Sequence, residues 1–556
     1  MPKTKTNEPS SWDGEIRLLT WLATCVSVLS FLFHYQRGEV LLYGDAVAHI
    51  NIARRVFDSI TPGPLQLGTV WLPMPHLLIM PFVISNLMWM TGVGGSIPSM
   101  AAYIFCVVGI FRLVRGILLP KAAPDAETRV SASIAAWTAA AIFAANPNLI
   151  YMQTTAMGEA LYLAFLIWSI VHFAAFLRGG AKALTKCGLC LAAACLTRYD
   201  GWFLSTAMAL VVAFLSLRQA TSENVIHISR AKATKFVLIA AAAPALWLAY
   251  NGIVYRNPLE FENGPYSAKA IEQRTQTAGN PGHPGQRNLL VAESYFLKSG
   301  EINLAPNPWL ERLWVALGFI ALVLAARAPV GKSCAPLLFL LTPLPFYALS
   351  IAYGGVPIFV PEWWPFSHYN VRYGLQLLPA FAVAVALLAE FSTRSAQLTG
   401  KVRGATSALL FAFVVISYAS IWRAEPATLQ EAQINMRTRN HLEAQLASLL
   451  RMLPPNATLL MYLGDHVGAL EKAGIPLRHV INEGNHRVWK QPRDPDGLWE
   501  RALNDPAHYA SYVLAFEGDP VWQAVQAAQA KGNAHLHALI ELHVTGQARA
   551  VLYGAR

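Results

Sequence analysis

Leu18-Leu-Thr-Trp-Leu-Ala-Thr-Cys-Val-Ser-Val-Leu-Ser-Phe-Leu-Phe33 is an unbroken apolar run that sets the character of the whole chain. With its flanks, about 16–35, it is long enough to cross a bilayer core as a helix. It lacks a small-residue cleavage site, so it reads as a retained anchor rather than a signal peptide. Just beyond it comes Tyr43-Gly-Asp-Ala-Val-Ala-His49, followed by Arg54 and Arg55. Asp45 and His49 are one helical turn apart and share a face if this segment is helical. A carboxylate, an imidazole and two guanidiniums so close to a span are costly unless they meet water or a polar site.

Similar apolar runs recur through most of the 556 residues. The chain is 54% hydrophobic and only 13% charged, with mean hydropathy +0.37. Ordinary soluble domains are about a quarter charged. The runs are continuous rather than alternating, which selects helices over a β-barrel as the spanning element. Further spans are expected near 98–117, 130–146, 157–176, 183–197, 201–217, 234–254, 308–326, 334–352, 372–391 and 404–422, about eleven in all. The net charge of +11 does not point to nucleic acid, because the basic residues sit in short loops, as the positive-inside rule expects. Lys3 and Lys5 place the N-terminus in the cytoplasm by the same rule. The run at 70–91 is expected to be interfacial rather than spanning. Crossing there would put Arg112, Arg115 and Arg129 outside, and Trp71, Pro73, Pro75, His76 and Trp89 suit an interface.

An odd number of spans sets the C-terminal region outside. The expected organisation is a membrane bundle over 1–422 and a small soluble extracytoplasmic α/β domain over 423–556, where charge rises and apolar runs shorten. Leu442–Leu453 has helical spacing. Strands are expected after Asn456, at Leu477–Ile481 and at Tyr512–Phe516, with a short helix over His466–Ala473. The six cysteines lie in or beside apolar runs; Cys187-x-x-Cys190 has no second pair or His pair to make a zinc site.

The unusual polar residues gather on the external segments 36–97, 146–156, 255–307 and 353–371. Asp45 can serve as a general base or as a helix N-cap; His49 offers a substrate hydrogen bond. Glu159 is either a solvated helix-start carboxylate or part of a polar cavity. Arg198 and Asp200, in Thr197-Arg-Tyr-Asp-Gly201, form either a self-neutralising turn or a phosphate contact on the outer face. Glu260, Glu262, Tyr266 and Lys269 are loop residues able to meet a polar substrate. Glu362-Trp-Trp-Pro-Phe-Ser-His-Tyr-Asn-Val-Arg-Tyr373 combines an aromatic belt with His368, Tyr373 and Arg372. Arg372 stands at the head of a span, where a guanidinium pairs with carboxylate or phosphate.

The first-loop Asp45, the carboxylate Glu159 after the third span, the Thr-Arg-Tyr-Asp-Gly turn and Asn370-Val-Arg-Tyr373 ahead of Pro379 resemble the GT-C membrane glycosyltransferases. Within that superfamily the layout of 16–422 is similar to the protein O-mannosyltransferase and lipid A aminoarabinose transferase group. The resemblance implies an all-α polytopic bundle that transfers a sugar from a polyprenyl-phosphate donor to a protein, lipid or glycan acceptor on the outer face of the plasma (inner) membrane. It carries the catalytic role to Asp45 and Glu159, and a lipid-phosphate contact to Arg372. Where the family often reads Asp-Glu, this chain has Asp45-Ala46. No resident cofactor or nucleic-acid partner is expected, and no metal ligand set is assigned, although the carboxylates leave room for a divalent metal. The rival reading is a transporter or flippase for a lipid-linked substrate, against which stands the lack of an internal repeat.

Overall fold

The computed structural model describes residues 11–119, 125–180, 182–217, 228–275, 282–327, 331–394, 400–464, 466–485, 497–531 and 535–555. Lys3 and Lys5 lie outside them. Among the described residues, nine segments are long and apolar enough to cross a membrane. The chain is a multi-pass membrane protein. The helix Ser11–Gln36 is followed by Val93–Leu118, Ala126–Ala144, Glu159–Leu177, Ala183–Cys195, Asp200–Leu217, Arg230–Val254 and Pro308–Arg327. Then come Pro343–Tyr353 and Leu378–Arg394, each entered through a tighter 3-10 segment, and finally Gly400–Ala424. Many large apolar side chains on these helices point outward, including Trp21, Leu210, Leu246, Phe319 and Phe411. Helices apolar all round belong in lipid.

Contacts between helix ends define two faces. Glu15, near the start of the first helix, pairs with Arg115, near the end of Val93–Leu118. At the opposite face Tyr151 Oη donates to the Glu39 carbonyl at 3.1 Å, and Ser96 Oγ donates to the Thr154 carbonyl at 2.7 Å. The chain between the first two long helices therefore leaves and re-enters at one face. Residues 70–91 form two short helices, Met74–Ile79 and Asn86–Met90, rather than a span. Arg54 clamps this segment: its Nε reaches Asp58 at 2.7 Å, while Nη1 and Nη2 donate to the Val83 carbonyl and to Asn86 Oδ1, each at 2.6 Å.

The C-terminal part carries a five-stranded sheet of β1 (Leu459–Met461), β2 (Val480–Ile481), β3 (Tyr512–Phe516), β4 (Leu536–Leu542) and β5 (Ala550–Ala555). Its order is β2-β1-β3-β5-β4. β1 runs parallel to β2 and β3, and β5 is antiparallel to both β3 and β4. The closing hairpin β4–β5 is not anticipated by the sequence reading, because β4 alternates weakly and only one of its ends is buried. The preceding helix also begins earlier than its leucine spacing suggests, running Ala427–Leu450.

This C-terminal region docks on the first-loop helix Gly44–Arg55. Asn51 Nδ2 donates to Glu471 Oε2 at 2.6 Å, and Trp89 Nε1 donates to Asn51 Oδ1 at 3.0 Å. Burial pushes the Glu471 carboxyl up to about 8; the Asn51 bond and Lys472 oppose the shift and Glu443 adds to it. Folding thus retains a proton that the unfolded chain releases near 4.5. The folded state should lose stability as pH rises from about 4.5 to about 8, and no further above that. Glu471→Gln should raise the thermal midpoint at pH 8, by roughly 2–4 °C or more, and change it little at pH 5. An equal shift at both pH values in a thermal unfolding series would contradict this.

Candidate active site

Asp45, Glu159, Arg198, Asp200 and Arg372 converge on one another. Gly44–Arg55 is helical, and its apolar face of Ala46, Ile50 and Ala53 is fully buried. That phase turns Asp45 away from the core. The cap position is Tyr43, with no side-chain cap bond. The Asp45 carboxylate is not spent on capping; its Oδ2 accepts from Arg372 Nη2 at 2.6 Å.

Arg372 is delivered by the 3-10 segment Val371–Leu377. Asn370, at φ 57°, makes the left-handed turn into it, a conformation Asn tolerates better than most residues. Gly374 lets the segment lie against Ser299–Gly300, where a Cβ would fall 2.3 Å from the Ser299 carbonyl oxygen. The guanidinium then finds three carboxylates. Besides Asp45, Nε donates to Glu159 Oε1 at 3.2 Å, and Nη1 pairs with Glu431 Oε1. The Arg372 main-chain N–H also donates to Glu431 Oε2, at 3.3 Å. The rings of Tyr43 and Tyr373 lie 5.1 and 5.0 Å from the guanidinium carbon, within cation–π range.

A second cation adjoins the first. Arg198 Nη1 donates to the same Glu159 Oε1 at 3.3 Å, Nε to Asp200 Oδ2 at 3.2 Å, and Nη2 to Tyr347 Oη at 2.8 Å. Gln376 Nε2 donates to Asp200 Oδ2 at 2.6 Å and to Tyr347 Oη at 2.8 Å. Arg198 and Asp200 therefore do more than neutralise their own turn: they join three helices. Gly201 is required by close approach, since a Cβ there would lie 2.5 Å from Ala194 backbone. Glu159 is buried and bridges both guanidiniums, so it is not a solvated helix-start residue.

Exposure separates the carboxylates. The side chains of Glu431, Glu159 and Asp200 are 0, 1 and 2% exposed, whereas Asp45 is 41% exposed. His49 stands next to this cluster, its Nδ1 2.8 Å from His76 Nε2 and its ring against Trp71. Burial lowers both imidazoles below their usual range. His368 is buried on the loop before Arg372, its carbonyl accepting from Asn435 at 3.4 Å. Lys269 instead pairs with Glu262, and Tyr266 is 43% exposed; their segment meets the Arg198 turn through Phe261, stacked on Tyr199. Among the described residues no group of three or more His, Cys, Asp or Glu side chains is placed to hold a metal ion. Glu431, Tyr347 and Gln376 are absent from the sequence expectation. The one available signal for Glu431 was a charge set among Leu429, Ala432 and Met436, all buried.

The fold is similar, nearly end to end, to that of a solved membrane enzyme, ArnT. The ArnT from Cupriavidus metallidurans bound to undecaprenyl phosphate aligns with a TM-score of 0.54 at 13% identity, over 97% of this chain and 98% of that one. The apo state of the same enzyme aligns at 0.50 and 14% identity, over 98% of both chains. The oligosaccharyltransferase AglB from Archaeoglobus fulgidus, in complex with an inhibitory peptide and a dolichol-phosphate, aligns at 0.43 and 12% over 97% of this chain and 74% of that one. That last likeness is too distant to add to the assignment. No family model and no curated relative matches the sequence.

Removing one member of a buried ion cluster leaves the others uncompensated. Arg372→Ala should destabilise the protein by roughly 3–5 kcal/mol, and adding Glu431→Gln should recover part of that loss. A strictly additive double variant in detergent unfolding would show that the two do not interact.

Proposed function

We propose that this protein is a glycosyltransferase that moves a sugar from a polyprenyl-phosphate donor to an acceptor at the extracytoplasmic face. The observation that carries the reading is the meeting of Asp45, part-exposed, with the buried cation Arg372 and the adjoining, partly buried Arg198 at one face of the bundle. Transfer of this kind needs a base beside a cation, and this site holds both. The near end-to-end likeness in fold to ArnT, a structure with undecaprenyl phosphate bound, supports the same class of donor. In this reading Asp45 takes the proton from the acceptor hydroxyl or amine. The acceptor atom forms its bond to the anomeric carbon from the side opposite the phosphate. The bond between that carbon and the phosphate oxygen breaks, its electron pair staying on the phosphate, where Arg372 and Arg198 stabilise the charge. The configuration at the anomeric carbon inverts. Glu159, sealed between the two guanidiniums, orients them and does not meet the acceptor.

The same reading sets eleven spans, counting Ala126–Ala144 and Ala183–Cys195 with the nine segments above. The N-terminus is then cytoplasmic and 423–556 a domain on the outer side. His49, neutral in its buried place, offers the acceptor a hydrogen bond rather than a charge. Asp45→Asn should lower transfer at least about 100-fold in membranes supplied with polyprenyl-phosphate sugars, with protein level and thermal midpoint retained. Undiminished transfer would reject the assignment. Movement of donor across vesicles with no glycosidic bond formed would instead favour the transport reading.

A further inference from the structure

Two guanidiniums here face four carboxylates: Asp45, Glu159, Asp200 and Glu431. With all of them ionised the cluster carries an excess of negative charge. A phosphate entering it adds more, in surroundings where like charges are poorly screened. Some carboxylate must give way. Glu431 cannot leave easily: it is fully buried and grips Arg372 twice, through Nη1 and through the main-chain N–H. Glu159 is shared between both cations, and Asp200 is held by Arg198, Gln376 and Tyr347. Among the described residues Asp45 has one anchor, Arg372 Nη2, and 41% of its side chain already meets solvent.

On the functional reading above, we propose that the donor's phosphate displaces Asp45 from Nη2 of Arg372, so that donor binding itself frees the base. Before the donor arrives, the carboxylate that must accept a proton is neutralised by the cation that must hold the phosphate. When a phosphate oxygen takes Nη2, Asp45 turns to the open side as a free carboxylate able to take the acceptor's proton. Glu431 is the positioning residue of this exchange. With Glu159 it holds Nη1 and Nε, so the guanidinium keeps its place while its third partner changes. The flanking rings of Tyr43 and Tyr373 fix its plane. Donor binding then precedes acceptor activation, and the site does not present an activated base to water before the sugar is in place.

The test is the affinity of undecaprenyl phosphate for the full-length protein in lipid nanodiscs, with undecaprenol as the uncharged control. Asp45→Asn removes the competing charge, so it should tighten undecaprenyl phosphate binding about tenfold while leaving undecaprenol unchanged. The variant thus binds the lipid phosphate better although it transfers worse. Unchanged or weaker binding overturns the proposal. So does equal tightening of undecaprenol, or tightening in Glu431→Gln but not in Asp45→Asn, which would make Glu431 the group that yields. A second reading needs no substitution: a density map with undecaprenyl phosphate bound should show a phosphate oxygen on Arg372 Nη2 and Asp45 turned away. Asp45 still on Nη2 overturns the exchange. If wild-type protein binds no undecaprenyl phosphate, the functional reading falls with it; if it binds and Asp45→Asn makes no difference, the exchange alone falls.

Discussion

A guanidinium taken out of water is costly, and it persists only where its partners are close and well oriented. Arg372 is such a group, and one face of the bundle is arranged around it. One side chain joins the first-loop helix through Asp45, the helix Glu159–Leu177 through Glu159, and the helix Ala427–Leu450 through Glu431. These segments lie hundreds of residues apart in sequence. The planar fork of arginine suits this task, because it directs separate N–H groups at separate acceptors. A lysine would bring the charge without the directions.

The surroundings divide the partners by access to water. Glu159 and Glu431 lie sealed beside the cations, while Asp45 stands at the open edge. Chemically similar carboxylates thereby acquire different duties, set by burial and not by type. The sealed ones define where positive charge sits. The open one remains able to exchange partners. The second guanidinium, Arg198, repeats the arrangement with Asp200, Tyr347 and Gln376, so two cations share the bridging Glu159. The C-terminal region is tied into the same assembly from both sides, by Glu431 beside Arg372 and by Glu471 beside Asn51.

The bundle is legible in the sequence because lipid imposes long, continuous apolar runs that survive without knowledge of tertiary contacts. Residues 70–91 are ambiguous by hydropathy; the charge rule favours an interfacial segment, and the chain there forms two short helices. Asp45, Glu159, Arg198, Asp200 and Arg372 are visible as polar exceptions at helix ends, and the fold brings them together. Glu431 is not visible, since its helix lies past the last apolar run and reads as soluble; a buried carboxylate announces itself only once its partner is in place. Tyr347 and Gln376 hide for the opposite reason, being lone polar side chains within apolar segments. Strand β4 escapes because a half-exposed edge strand leaves a weak alternating pattern.

In the proposed function Arg372 is the seat of the lipid phosphate. Phosphorus NMR of undecaprenyl phosphate in nanodiscs holding the protein reads that contact at the atom concerned. The resonance should be shifted and broadened with the native chain and return to its free position with a folded Arg372→Lys variant. An unmoved resonance with the native chain, or one equally shifted in both, would contradict it.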